Sequence, residues 1–198
     1  MTTEAQSVEV YAEATPNPEA IKFMINQTIA GSEPFDFRKV EEADKSPLAK
    51  SLFEFEFVDG VFIMNNFVSI TKKPDYQWVE LIPKIRNFLS EYIEAGHPIV
   101  DEELAQEAEE KKQSQSQEAT SEDSEGKIKE ILEQHVKPAI EMDGGAIQFK
   151  SFENGVVKLV LKGSCSGCPS SMVTLKQGIE GLLKRVVPEV ESVEAEEG

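Results

Sequence analysis

Two cysteines among 198 residues are too few for a disulfide framework, and a chain of this length folds without one. Basic charge is also scarce. Twenty Lys/Arg face 37 Asp/Glu, a formal net charge of −17; such a surface repels phosphate backbones and anionic lipid, so neither nucleic acid nor a membrane is an expected partner. No apolar run approaches the roughly 18 residues that a membrane helix needs. The opening Met1-Thr-Thr-Glu-Ala-Gln6 lacks the basic and apolar regions of a secretory signal and is too acidic to suggest an Arg-rich transit peptide. Together these features point to a soluble, cytoplasmic protein. In a reducing compartment, a close pair of cysteines points to metal or redox chemistry.

The acidic excess is uneven, and it divides the chain. Residues 101–125 hold 10 Asp/Glu, two Lys, no aromatic residue and one large aliphatic, Leu104. A stretch this polar buries too little to offset its ordering entropy, so it is expected to be a flexible acidic linker, with some helix in its first half, Asp101–Lys112. The expected fold class is α+β, as two small α+β domains, 1–100 and 126–198, joined by this linker and mobile relative to each other for docking a client.

In the first domain, alternating residues at Val8–Glu13 and Ile21–Asn26 predict two strands around Thr15-Pro-Asn-Pro18. Ser46-Pro47 predicts a capped helix through Phe53, and Asp59-Gly60 a hairpin turn after the aromatic stretch Phe53–Val58. Strands follow at Val61–Met64 and Phe67–Thr71. The aromatics Phe53, Phe55, Phe57, Phe62 and Phe67 are expected in the strand core. Trp78, Leu81, Ile82, Ile85, Phe88, Leu89, Tyr92 and Ile93 recur at helical spacing up to Gly96. The second domain reads α-β-β-α-β. It has a helix from Ile128 that Pro138 ends, strands Ala146–Phe152 and Val156–Leu161, a helix from Pro169 that Pro188 stops, and a short strand at Val190–Val193.

Cys165-Ser-Gly-Cys168 falls between a predicted strand and a predicted helix, where helix N–H groups favour thiolate, the form that binds zinc and iron–sulfur clusters. A structural zinc site or a cubane cluster usually takes four protein ligands, and this chain has two cysteines. His97 and His135 are better explained as packing or surface residues. Two copies around a two-fold axis supply two plus two thiolates, so a homodimer bridged by the site is expected. Spacing alone leaves open a thioredoxin-like dithiol oxidoreductase and a structural zinc dimer. Against the dithiol stand the preceding hairpin and Ser164, where thioredoxin-type sites carry an aromatic residue.

Pro138-Ala-Ile-Glu-Met-Asp-Gly-Gly145, Leu161-Lys-Gly-Ser-Cys-Ser-Gly-Cys-Pro-Ser-Ser171 and Thr174-Leu-Lys-Gln-Gly-Ile-Glu180 together resemble the C-terminal domain of NifU, the Nfu-type iron–sulfur carrier domain, over about 126–195. Thr15-Pro-Asn-Pro18 with Ile21-Lys-Phe23, Ser46-Pro-Leu-Ala49 with Leu52-Phe53, and Phe67-Val-Ser-Ile-Thr-Lys72 resemble the Nfu N-terminal domain. The resemblance implies a labile [4Fe–4S] cluster, with [2Fe–2S] left open, shared between two chains. Its implied ligands are Cys165 and Cys168, its source a donor scaffold, its destination apo iron–sulfur client proteins. It implies a carrier, not an enzyme. Ala146 and Lys137 depart from residues common in the family, which bears on partner preference more than on the ligands.

Overall fold

The structure, a computed structural model, describes residues 7–107, 124–165 and 169–197. Strands β1 (Val10–Ala14), β2 (Ala20–Ile25), β3 (Phe35–Phe37), β4 (Val58–Met64) and β5 (Phe67–Lys72) form an antiparallel sheet in the order β1-β2-β5-β4-β3. Strand side chains alternate between faces. One set, Phe23, Ile25, Val61, Ile63, Val68 and Ile70, is buried with Leu48, Ala49 and Leu52 of α1 (Pro47–Phe53) and Leu81, Ile85, Leu89 and Ile93 of α2 (Trp78–Glu94). The i, i+4 spacing of the last four puts them on one helix face. Ser46 caps α1, its hydroxyl accepting from Ala49 N and donating to Ile99 O, a cap worth about 1 kcal/mol.

The opposite set, Lys22 and Met24 of β2, Phe62 and Met64 of β4, Phe67 and Ser69 of β5, faces away from both helices. Phe62, Met64 and Phe67 form a separate small core with Ala146 of the second domain, against which Met24 packs. The aromatics expected in the strand core divide between its two faces: Phe57 lies in the helix-covered core, Phe62 and Phe67 on the reverse face.

One turn expectation is corrected. Asp59-Gly60 is a bulge inside β4, between the Val58 and Gly60 pairings, not a hairpin. The hairpin lies at Asn65-Asn66, where Asn65 takes φ +48. A bulge admits one unpaired residue without ending the strand, so Asp-Gly need not be a turn. The strand β3, only three residues long, and the 3-10 segment Val40–Lys45 are too short for periodicity to mark.

Residues 102–107 are a short helix, α3, anchored to the first domain. Asp101 Oδ1 accepts from Leu104 N, Lys45 pairs with Glu103 and Glu107, and Ile99, Val100 and Leu104 pack on the core. The rest of the expected linker, 108–123, lies outside the described residues.

The second domain opens with α4 (Ser124–Ile131), which runs through a π-helical segment, Leu132–Val136, into α5 (Lys137–Met142). Pro138 therefore does not end the helix. The widened turn upstream, with Lys137 N donating to Leu132 O, absorbs the loss of the proline donor and the ring's demand for space. Hairpin β6 (Gly145–Glu153) and β7 (Val156–Gly163) closes through Asn154-Gly155, both at positive φ as a primed turn requires. Helix α6 (Pro169–Val186) leads to β8 (Ser192–Glu197), parallel to β7. Ile128, Ile131, Leu132, Val136 and Ile140 from the first helical run, Val157, Leu159 and Leu161 from β7, and Ile179 and Leu183 from α6 form this domain's core. Among the described residues no helix is long and apolar enough to cross a membrane.

The two halves, expected to move relative to each other, are in contact in this structure. Both turns flanking the cysteine loop sit on the reverse face of the first domain's sheet, through the contacts described next.

Candidate functional site

Cys165 follows β7 by two residues and is 7% exposed, packed at the edge of the second core. Cys168, together with Ser166 and Gly167, lies outside the described residues; α6 begins at Pro169, the next residue in sequence.

Two turns build the base under Cys165. The first is Asp143-Gly144-Gly145, between α5 and β6; the second is Gly163-Ser164, at the end of β7. Gly144 has φ +81 and Gly163 has φ +69, left-handed conformations that favour glycine. Ser164, 2% exposed, ties the turns together: its N donates to Gly144 O at 3.3 Å and its hydroxyl donates to Asp143 O. Gly145 is needed for another reason. A Cβ there would stand 2.7 Å from Lys162 O and 2.8 Å from Cys165 Sγ. The Asp-Gly-Gly run, which reads in sequence as an ordinary turn, is therefore the floor of the cysteine loop.

The first domain holds this floor from outside. Asn17 Nδ2 donates to Ser164 O at 3.1 Å, and Ser69 Oγ donates to Gly144 O at 2.7 Å. Asp36 Oδ2 accepts from Gly163 N at 3.1 Å and lies 3.5 Å from Arg38. Lys22 Nζ donates to Glu141 O (3.0 Å) and Met142 O (3.3 Å), the last carbonyls of α5, where the helix dipole favours a cation, and stacks 4.6 Å over the Phe67 ring. Burial shifts the titrating groups. It pushes the Asp36 carboxyl up, a shift that the Gly163 N–H, Arg38 and Lys162 oppose. It lowers Lys22, opposed by Glu13, Glu141 and Asp143, and raises Glu141.

Beside Cys165 opens a mostly apolar cavity of about 570 Å³, walled by α6 (Leu175, Ile179, Leu182), by Val136 and by Pro16 of the first domain, with His135 at its edge. His135 is exposed, and His97 lies against Tyr92, ring centroids 5.0 Å apart and tilted by 50°, far in sequence from the loop. Among the described residues no three His, Cys, Asp or Glu side chains cluster as a metal site. Within those residues, then, the chain supplies a cysteine and not a complete ligand set. The positioning residues Asn17, Lys22, Asp36 and Ser69 escaped sequence reading because their partners are backbone atoms more than 70 residues away. One signal was available: Lys22 and Ser69 interrupt strands on the face where Met24 and Phe67 are apolar.

Residues 10–96 match the family described as "Scaffold protein Nfu/NifU N terminal", and residues 128–194 match "NifU-like domain". A relative from Drosophila willistoni, "NFU1 iron-sulfur cluster scaffold homolog, mitochondrial", is 39% identical over 188 residues, 93% of this chain and 62% of that protein. The Homo sapiens protein of the same name is 37% identical over 189 residues, 93% of this chain and 70% of its own length. The chain thus spans somewhat under two thirds of the Drosophila relative. The solution NMR structure of a NifU-like protein from Saccharomyces cerevisiae aligns over 52% of this chain and 91% of its own, at 21% identity and a TM-score of 0.45. Both curated relatives are named as mitochondrial, and that overturns the cytoplasmic placement. Composition and surface charge record what a fold repels and attracts, not the compartment it is sent to. With both halves matched in order and relatives aligned along most of its length, the chain belongs to the Nfu/NifU scaffold family, an Nfu N-terminal domain followed by a NifU-like domain.

Proposed function

We propose that the chain carries an iron–sulfur cluster as cargo, a labile [4Fe–4S] cluster held between the Cys165/Cys168 pairs of two copies, taken from a donor scaffold and handed to apo-proteins without catalytic turnover. The relatives' names as iron–sulfur cluster scaffolds support the cargo. The observation that carries the rest is the seat of Cys165, on a glycine-floored turn beside an apolar cavity, in a chain that has two cysteines in all. Thiolates are the ligands such clusters take, and two cysteines per chain make half of a four-thiolate site. A half-site shared across an interface is released when the interface opens, which suits transfer. The apolar wall limits water at the sulfur and so slows hydrolytic loss of a bound cluster until the interface opens.

Anaerobic reconstitution with iron and sulfide tests this directly. The expected product is a dimer by size-exclusion chromatography with about four iron per dimer and broad visible absorbance. Cys165→Ser should abolish both the colour and the cluster-bound dimer. Folded protein that takes up no iron, or anaerobically purified protein that carries zinc instead, would overturn the proposal.

A further inference from the structure

The reverse face of the five-stranded sheet is shaped for one occupant. It presents four apolar side chains, Met24, Phe62, Met64 and Phe67, and, on the face or at its edge in the β1–β2 loop, polar groups that are also buried. Ser69 is 2% exposed, Lys22 6% and Asn17 6%, and the Asp36 side chain 9%. Burying such groups is costly unless each finds a hydrogen-bond partner. Here each finds a backbone atom of the second domain: Gly144 O, Glu141 O with Met142 O, Ser164 O and Gly163 N. The second domain is cut to match. A Cβ on Gly144 would stand 2.6 Å from Ser69 Oγ, one on Gly163 would stand 2.9 Å from the Phe62 ring, and Ala146, 1% exposed, completes the apolar contact. Donors, acceptors and close approach thus agree on both sides of the interface.

We propose that the first domain is an intramolecular clamp on the turns beneath Cys165, with Asn17, Lys22, Asp36 and Ser69 as its positioning residues. Asn17, Asp36 and Ser69 act on the two turns that floor Cys165, Lys22 holds the end of α5 that leads into the first of them, and Asp36 and Asn17 hold Gly163 and Ser164, the residues leading into Cys165. Closed, the clamp fixes the Gly163-Ser164 turn that seats Cys165; open, it lets that turn shift and the sulfur meet solvent or another molecule. Its bearing on cargo release rests on the carrier function proposed above, but the clamp itself is a property of the cluster-free chain.

The test is the rate of Cys165 alkylation by iodoacetamide in the reduced, full-length, cluster-free protein, read at that residue by peptide mass spectrometry. Ser69→Ala and Asn17→Ala each delete one clamp bond and should raise the rate about fivefold. Ser90→Ala deletes a bond within the first domain, to Val8 O, and should leave the rate unchanged. Trp78 fluorescence during urea unfolding establishes that each variant's first domain is folded, and if Ser69→Ala fails there, Asn17→Ala in the β1–β2 loop gives the same reading. An unchanged rate in folded clamp variants overturns the proposal, as does an equal rise in Ser90→Ala, which would mean general loosening. Failure to bind iron would overturn the carrier function and leave the alkylation result standing.

Discussion

Gly163→Ala combines two separable costs at one atom. Gly163 sits at φ +69, and a Cβ there would lie 2.9 Å from Gly144 O and 2.9 Å from the Phe62 ring. Placing an L-residue in the left-handed region costs about 1–2 kcal/mol. Forcing a methyl into a filled contact costs about 1–3 kcal/mol. Gly144 O cannot retreat easily, because it accepts from both Ser164 N and Ser69 Oγ. Phe62, 2% exposed, is packed in the contact between the domains, so displacing it strains that contact. The total, about 2–5 kcal/mol, is a large share of the roughly 5–15 kcal/mol that holds a domain folded. The single Trp and all three Tyr lie in the first domain, as Trp78, Tyr11, Tyr76 and Tyr92, so fluorescence follows that domain alone while far-UV circular dichroism follows both. The dichroism transition of the second domain should move to lower urea by roughly 1–3 M, and the Trp78 transition should move less, by no more than the lost docking. Gly181→Ala is the control: it lies exposed on α6 with nothing within 4 Å of its Cβ, and should gain about 0.5–1 kcal/mol. A Gly163→Ala protein with a wild-type midpoint would refute both the turn conformation and the close domain contact.

Gly145→Ala tests the floor of the loop without backbone strain, since its Cβ would meet Lys162 O at 2.7 Å and Cys165 Sγ at 2.8 Å. It should cost about 1–3 kcal/mol and lower the iron retained per dimer after desalting; full retention would show that Cys165 does not need this seat. Asp36 gives a pH signature. Its folded-state carboxyl titrates above the ordinary 3.8 because of burial, so the folded protein binds that proton more tightly, and this group adds stability as pH falls from the raised value towards 3.8 and withdraws it as pH rises. Asp36→Asn removes that component. Wild type should therefore gain on the variant as pH drops from 7 to 4 in urea midpoints, and a gap constant with pH would contradict the assignment.

Local chemistry wrote much of this fold plainly. Alternation marked β1, β2, β5, β6 and β7, the i, i+4 series Leu81, Ile85, Leu89, Ile93 marked α2, and Ser46-Pro47 and Pro169 marked helix starts, because each signal acts between residues a few positions apart. Where two local outcomes were close in energy, the sequence misled. Asp59-Gly60 serves a bulge as well as a turn, and Pro138 is tolerated once the preceding helix widens to a π turn.

The cysteine spacing, the number of ligands one chain can offer and the family blocks are properties of the sequence itself, and they fix Cys165 as a candidate ligand before any coordinates. What only the tertiary structure decided is how the loop is held. Alternation in β2, β4 and β5 tells which residues share a face, but not what covers it. Both faces of this sheet are partly apolar, and helices cover only one. The choice of the Asp143–Gly145 and Gly163–Ser164 turns as the second cover depends on hydrogen bonds to backbone atoms, which every residue carries and no side-chain pattern advertises. Once folded, those bonds turn Lys22, Asp36, Ser69 and Asn17 from unremarked surface residues into the supports of Cys165.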